Sequence, residues 1–298
     1  MALAGRNSSD NVRGTLWVFA SAFAFVVSVS LVKFLGRNLP PTLPALAHHM
    51  ASLAVLLPWI VRNPVATFRT SRPGLIVGRS LATSLSMLLA FFAYQRLPLA
   101  EANALSFSRV LWLALLAVLF LGERLPPRRL LATLAGFGGV LIVLNPSGGA
   151  HVPMVPAAAG LCAALMLAAS LTGVKSLTRD HGQVTLLAWS GLLGIVFTLP
   201  FALASWRTPS LHDALLLAVM GLSGAATQFC YVRGLAWGDA TVVAPVDYSR
   251  IILSAGFGAL FFSEQPPVST LVGVAIIVGS TLYITWHASR AGFNQPVP

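Results

Sequence analysis

Phe107-Ser108-Arg109 and Tyr248-Ser249-Arg250 stand 141 residues apart, each arginine inside an apolar run. Shifted by that interval, residues 107–126 overlie 248–267. Beyond the Ser-Arg pair, Ala114, Leu119, Phe120, Glu123 and Pro126 then recur as Ala255, Leu260, Phe261, Glu264 and Pro267. Apolar composition alone does not match charged positions. A second echo, Val32-Lys33-Phe34-Leu35 with Val174-Lys175-Ser176-Leu177, makes the chain a duplication.

The repeated unit is a membrane unit. Of 298 residues, 56% are hydrophobic and 9% charged, against about a quarter charged in soluble domains. A spanning helix needs about 20 apolar residues. Proline and glycine punctuation (Pro40-Pro41, Arg72-Pro73-Gly74, Pro126-Pro127, the Asn145-to-Gly149 run, Pro266-Pro267) divides the chain into such segments. Ten spans are predicted: 14–35, 43–61, 74–95, 99–121 and 128–144 in a first repeat (1–147), then 156–177, 184–204, 212–235, 240–262 and 268–288 in a second (156–289). Five is odd, so the second repeat enters the membrane inverted. The expected fold is all-α, ten transmembrane helices as two inverted five-helix repeats, a plan that places ligands near the midplane between repeats.

The net charge of +11 lies mostly between spans, where it sets orientation and meets lipid headgroups. With the N-terminus cytoplasmic, twelve basic residues fall on the inner side and four (Lys33, Arg37, Arg96, Arg207) on the outer. Both termini are therefore expected inside, in a multi-pass protein of the inner cell membrane. The first span is too long for a signal sequence and has its echo in the second half, so cleavage is not expected. No nucleic-acid partner is expected, since no soluble basic face with interleaved aromatics exists. Cys162 and Cys230 fall inside spans without a CxxC neighbour, so disulfide, metal and cofactor chemistry are not expected.

The Leu119-to-Leu125 run closing the fourth span with Pro126-Pro127, the stretch 231–240, and Phe261-Phe262-Ser263-Glu264 resemble the drug/metabolite transporter superfamily, EamA type. The resemblance covers nearly the whole chain. It implies a central cavity formed largely by spans three, four, eight and nine. Within that family the chain most resembles exporters of aromatic and neutral amino acids, which implies a small-molecule substrate moved by alternating access.

Arg109 and Arg250 each lie near the middle of a predicted span. A central arginine costs about 2.5–3.5 kcal/mol on insertion scales, so both should face a cavity or a partner. Asp247 is one turn before Arg250 and is its expected mate, or else a proton acceptor or a binder of a substrate amine. Ser106 holds that offset from Arg109, which is left less compensated. A guanidinium suits a carboxylate, so one arginine is expected to draw in an anionic group. Trp112, one turn from Arg109, would add an aromatic wall; Tyr248 adjoins Arg250 but turns away from it. Polar stripes on the third span (Arg79, Thr83, Ser86, Met87, Ala90, Tyr94) and the eighth (Ser223, Thr227, Gln228, Tyr231, Gly234) suit cavity walls or interhelical glue. Tyr94, Tyr231 and Gln228 are expected to line the pocket; Arg79 is expected to snorkel. His48 and His49 in the second span are candidates for proton coupling. Glu101 is expected to be solvated, and Glu123 and Glu264 structural.

Small residues four apart (Ala132/Gly136, Ala135/Gly139, Ala275/Gly279) predict close helix packing. Packing within one chain suffices, so a monomer is expected. Other classes are weaker. Gly221-Leu222-Ser223-Gly224 matches the GxSG of intramembrane serine proteases but lacks a histidine base at matching depth. No repeated selectivity loop suggests a channel. The expected function is secondary transport of small organic metabolites, with aromatic or neutral amino-acid export first and other metabolites or drugs second.

Overall fold

The computed structural model describes residues 8–121, 127–144, 153–177, 182–237 and 243–292. Glu123, Pro126, the Asn145-to-Gly149 break and both tails lie outside the described residues. The first half holds α1 (Ser8–Leu35), α2 (Thr42–Arg62), the single turn α3 (Pro64–Phe68), α4 (Pro73–Arg96), α5 (Leu99–Phe107), α6 (Arg109–Leu121) and α7 (Pro127–Leu144). The second holds α8 (Met154–Leu177), α9 (Gln183–Ala204), α10 (Leu211–Trp237), a 3-10 helix (Ala244–Tyr248), α11 (Ser249–Phe262) and α12 (Val268–Gly292). Among the described residues seven helical segments are long and apolar enough to cross a bilayer, and two shorter apolar helices, Leu130–Leu144 and Val268–Ile284, accompany them. The fold is an all-α membrane bundle built from two inverted repeats.

The packing obeys the repeat. The main helix pairs are α1 with α10, α4 with α8, α7 with α12, α2 with α9, α4 with α9, α2 with α10, α6 with α8 and α1 with α11. Exchanging the halves turns each pair into another of the set or into itself. Pro58 in α2 and Pro200 in α9 also hold equivalent places, and both helices continue through them.

Side chains explain the pairing. On α1, Val18, Ala22, Val26, Val29 and Val32 are buried at helical spacing and face the bundle. Gly234 of α10 lets Val18 and the Gly14 carbonyl approach; a Cβ there would stand 2.5 Å from Val18. Ser21 and Ser28 donate to the carbonyls of Thr227 and Met220. The α4–α8 pair repeats the device: Ser86 donates to the Ala163 carbonyl and the Thr83 and Ser170 hydroxyls share a bond of 2.6 Å. Such bonds contribute about 0.6 kcal/mol each in membranes. The outer surface is apolar: Leu119, Leu131, Ile252, Leu260 and Phe261 are all more than 60% exposed. That suits a surface solvated by acyl chains.

Two predicted elements differ. The fourth span, expected as one helix over 99–121, breaks at Ser108. Its hydroxyl and amide both bond the Leu105 carbonyl, three residues back, at 2.6 and 3.1 Å. Ser106 likewise donates to the Asn103 carbonyl. Local hydroxyl bonds of this kind compete with the α-helical ladder. The ninth span, expected as one helix over 240–262, begins in the described residues as the 3-10 helix, where Pro245 supplies no N–H, and becomes α-helical at Ser249. Both interruptions fall immediately before the repeated arginine.

The small-residue prediction holds on one face only. Gly139 of α7 and Gly273 of α12 meet backbone to backbone: a Cβ on Gly273 would stand 2.7 Å from the Gly139 carbonyl oxygen. Gly136 is equally close to Leu111. Gly279 has nothing within 4 Å, so Ala275/Gly279 is not a packing face in this chain.

Candidate functional site

The two interruptions bring the repeated arginines to one carboxylate. Arg250 Nε lies 2.6 Å from Asp247 Oδ1, and Arg109 Nη2 lies 3.5 Å from Asp247 Oδ2. The spacing pairs Asp247 with Arg250; its further bond to Arg109 joins the two repeats. Ser106, expected to face Arg109, offers its carbonyl at 3.5 Å. Arg250 Nη2 also donates to Ser21 Oγ at 3.4 Å. With both arginines charged and Asp247 ionised, the cluster carries one positive charge.

Aromatic rings surround the cations. Arg250 lies over Phe25, 4.4 Å from its centroid, and Arg109 over Phe107 at 4.9 Å. Both distances allow cation–π attraction. Phe107 and Tyr248, equivalent by the repeat, stack at 4.8 Å with 25° between planes. The pseudo-twofold axis therefore passes between these rings. Tyr94 and Tyr231 lie near both guanidiniums, and Tyr94 neighbours Ser106. Tyr94, Ser106 and Ser86 line a cavity of about 40 Å³ with Ala163 and Gly160. Its walls come from spans three, four and six.

Other predicted residues stand apart. Trp112 packs edge-on against Phe137 of α7, 4.9 Å away, and is not a wall beside Arg109, whose ring partner is Phe107. Thr227 and Ser223 donate to carbonyls of their own helix. Gln228 is exposed. Arg79 does not snorkel: it donates to Ser190 Oγ at 2.7 Å and to the Leu186 carbonyl on α9. Glu101 is not solvated; it is 4% exposed and accepts from the Thr270 hydroxyl of α12, because α12 covers the start of α5. His48 and His49 wedge α2 between two helices. A Cβ on Gly224 of α10 would stand 2.5 Å from His48, and one on Gly194 of α9 2.3 Å from His49. His48 thus comes beside the GxSG segment, yet Ser223 bonds Val219 and not the imidazole. A larger open groove, about 540 Å³, runs along the last turns of α10 between Phe229 and Trp237. It contains Arg233 but no member of the Asp247 cluster.

The family model for EamA-like transporters matches the chain twice, over residues 12–145 and 155–286. The chain belongs to the EamA-like transporter family. Among EamA-like relatives, an S-adenosylmethionine uptake transporter of Rickettsia bellii is 30% identical over 93% of this chain and 95% of its own. A riboflavin transporter of Brucella anthropi is 27% identical over 89% and 94%. A pseudopaline exporter of Pseudomonas aeruginosa is 27% identical over 89% and 93%. A solved crystal structure superposes with a TM-score of 0.63 at 19% identity, covering 93% of this chain and 98% of that one, and shares the fold. This EamA-like chain is accordingly a multi-pass membrane transporter of small metabolites, not an enzyme.

Proposed function

We propose that the chain carries a metabolite with an α-amino-acid head and a flat ring, and that Arg109 takes its carboxylate. The inequality of the two arginines carries this reading. Arg250 is held at 2.6 Å by Asp247 and again by Ser21, whereas among the described residues the polar contacts of Arg109 are both 3.5 Å and its side chain is 22% exposed. Arg109 can therefore exchange a weak internal bond for a bidentate one to substrate. Asp247 is then within reach of the substrate's amine, and Tyr248, partly exposed where Phe107 is buried, offers an aromatic surface to its ring. S-adenosylmethionine and the aromatic amino acids both meet this description. The first is the substrate for which a relative is named; the second is the class expected from the sequence. Other metabolites or drugs, riboflavin among them, are the second reading.

The repeats rock about the axis between Phe107 and Tyr248, opening the site to each side in turn. The charge bias between spans supports cytoplasmic termini and an inner-membrane location. Export is the first-expected direction; relatives are named for uptake and for export, and alternating access serves either. Proton coupling through His48 and His49 is part of the proposal, as is action as a monomer, two repeats in one chain sufficing for the cycle.

Counterflow in proteoliposomes with labelled S-adenosylmethionine, tyrosine, phenylalanine and riboflavin tests the substrate. Binding tests the role of Arg109. Arg109→Ala should weaken binding of the carboxylate ligand by about tenfold to a hundredfold, the range of a charge-assisted bond, with far less effect on the corresponding amide. Equal weakening of both would remove Arg109 from the carboxylate site.

A further inference from the structure

At the end of the bundle that carries Lys33, three segments converge on one carboxylate. Glu264 Oε1 lies 2.5 Å from Lys33 Nζ at the end of α1, and its Oε2 accepts the amide N–H of Leu99, the first residue of α5, at 2.8 Å. Lys33 Nζ also donates to the Leu97 carbonyl and sits over the Phe262 ring. Both charged side chains are 14% exposed. Lys33, Leu97 and Leu99 belong to the first repeat and Glu264 to the second, so the contact fastens one half to the other.

The backbone is bent to make it. Ser263 has φ 56° and ψ 32° and is the one positive-φ residue other than glycine among the described residues. A left-handed serine is strained, and strain persists where the surrounding contacts fix it. That turn folds the Glu264 amide back onto the Gly258 carbonyl at 3.0 Å. Gly258 in turn has no Cβ to obstruct the carboxylate, for one would stand 2.5 Å from Oε2. Among the described residues Glu101, held by Thr270 of α12, also faces Lys33 and Glu264. Nothing in the Asp247 cluster needs this arrangement.

We propose that the Lys33–Glu264 pair, with the Leu97 carbonyl and Leu99 amide, is the latch of the gate at this end of the transport path. It is shut in this structure and breaks each time the halves part on this side. The inference rests on the alternating-access reading above. An ion pair suits a latch that must open: its attraction when shut is offset by rehydration of both charges when parted, so neither state is favoured overwhelmingly.

The test is accessibility of a cysteine beneath the latch. In a Cys162→Ala/Cys230→Ala background, Ser106→Cys places a thiol on the cavity beside Arg109. A membrane-impermeant methanethiosulfonate is applied to intact cells and, separately, to inside-out vesicles. Glu264→Gln and Lys33→Ala should each raise labelling from the Lys33 side by about tenfold, the effect of tilting a two-state equilibrium by one such contact. Labelling from the opposite side should fall, because both sides draw on one equilibrium. A merely loosened bundle would label faster from both sides, and that result would overturn the latch, as would unchanged rates in both variants. The readout needs no substrate, so it fails or holds separately from the substrate assignment. It also reports which face Lys33 occupies.

Discussion

Asp247→Ala is expected to lower stability by about 3–5 kcal/mol, the cost of removing one partner from a buried ion pair, and to abolish transport. Asp247 is the carboxylate bound to both Arg109 and Arg250. Without it two guanidiniums face each other at mid-bundle with, among the described residues, Ser21, a carbonyl and aromatic faces to receive them. Arg109→Ala should cost much less stability, because the 2.6 Å pair between Asp247 and Arg250 survives intact. Thermal unfolding in detergent, read for both variants side by side, checks the order. An Asp247→Ala protein as stable as Arg109→Ala would show that the 2.6 Å pair with Arg250 adds nothing beyond the bond to Arg109.

Gly273→Leu carries the other large expected effect. The helices α7 and α12 meet through Gly139 and Gly273, and even a Cβ on Gly273 would stand 2.7 Å from the Gly139 carbonyl oxygen and 2.9 Å from the Val143 nitrogen. Backbone cannot yield as a side-chain tip can, so the helices must separate. Overpacking of this kind costs about 3 kcal/mol, and the yield of folded protein should fall several-fold by size-exclusion profile. Gly279→Leu, one helix face away with nothing within 4 Å, is the matched control and should behave as the parent. Equal loss in both would refute the Gly139–Gly273 contact.

The duplication, the inversion and the two arginines were legible because charge inside an apolar run is rare enough to be recognised twice. The short offset between Asp247 and Arg250 was legible for the same reason. Three features were not. The break at Ser108 has no proline or glycine to announce it; only a cluster of hydroxyls at 106 and 108, common in membrane helices, hints at it, while Pro245 marks its counterpart openly. The Arg109–Asp247 bond joins residues 138 apart across the axis, which no local spacing reports. Phe25 has no repeat signature and reaches Arg250 only through the packing of α1 on α11. The Lys33–Glu264 contact was half visible, since both residues recur in the repeat, but their pairing depends on a left-handed serine that sequence does not declare. Trp112 shows the opposite failure: a correct helical face, turned to a neighbouring span.

Ser106 and Asp247 occupy equivalent places in the two repeats, so the halves are no longer interchangeable at their centre. A symmetric dimer of separate half-proteins can place only even numbers of any ionisable group around its dyad: two guanidiniums with no counter-ion, or two with two. Joining the halves in one polypeptide lifted that parity rule. A single anion between two cations is an arrangement open to a fused gene and closed to a homodimeric ancestor, and the resulting surplus of one positive charge is what a substrate's carboxylate would meet.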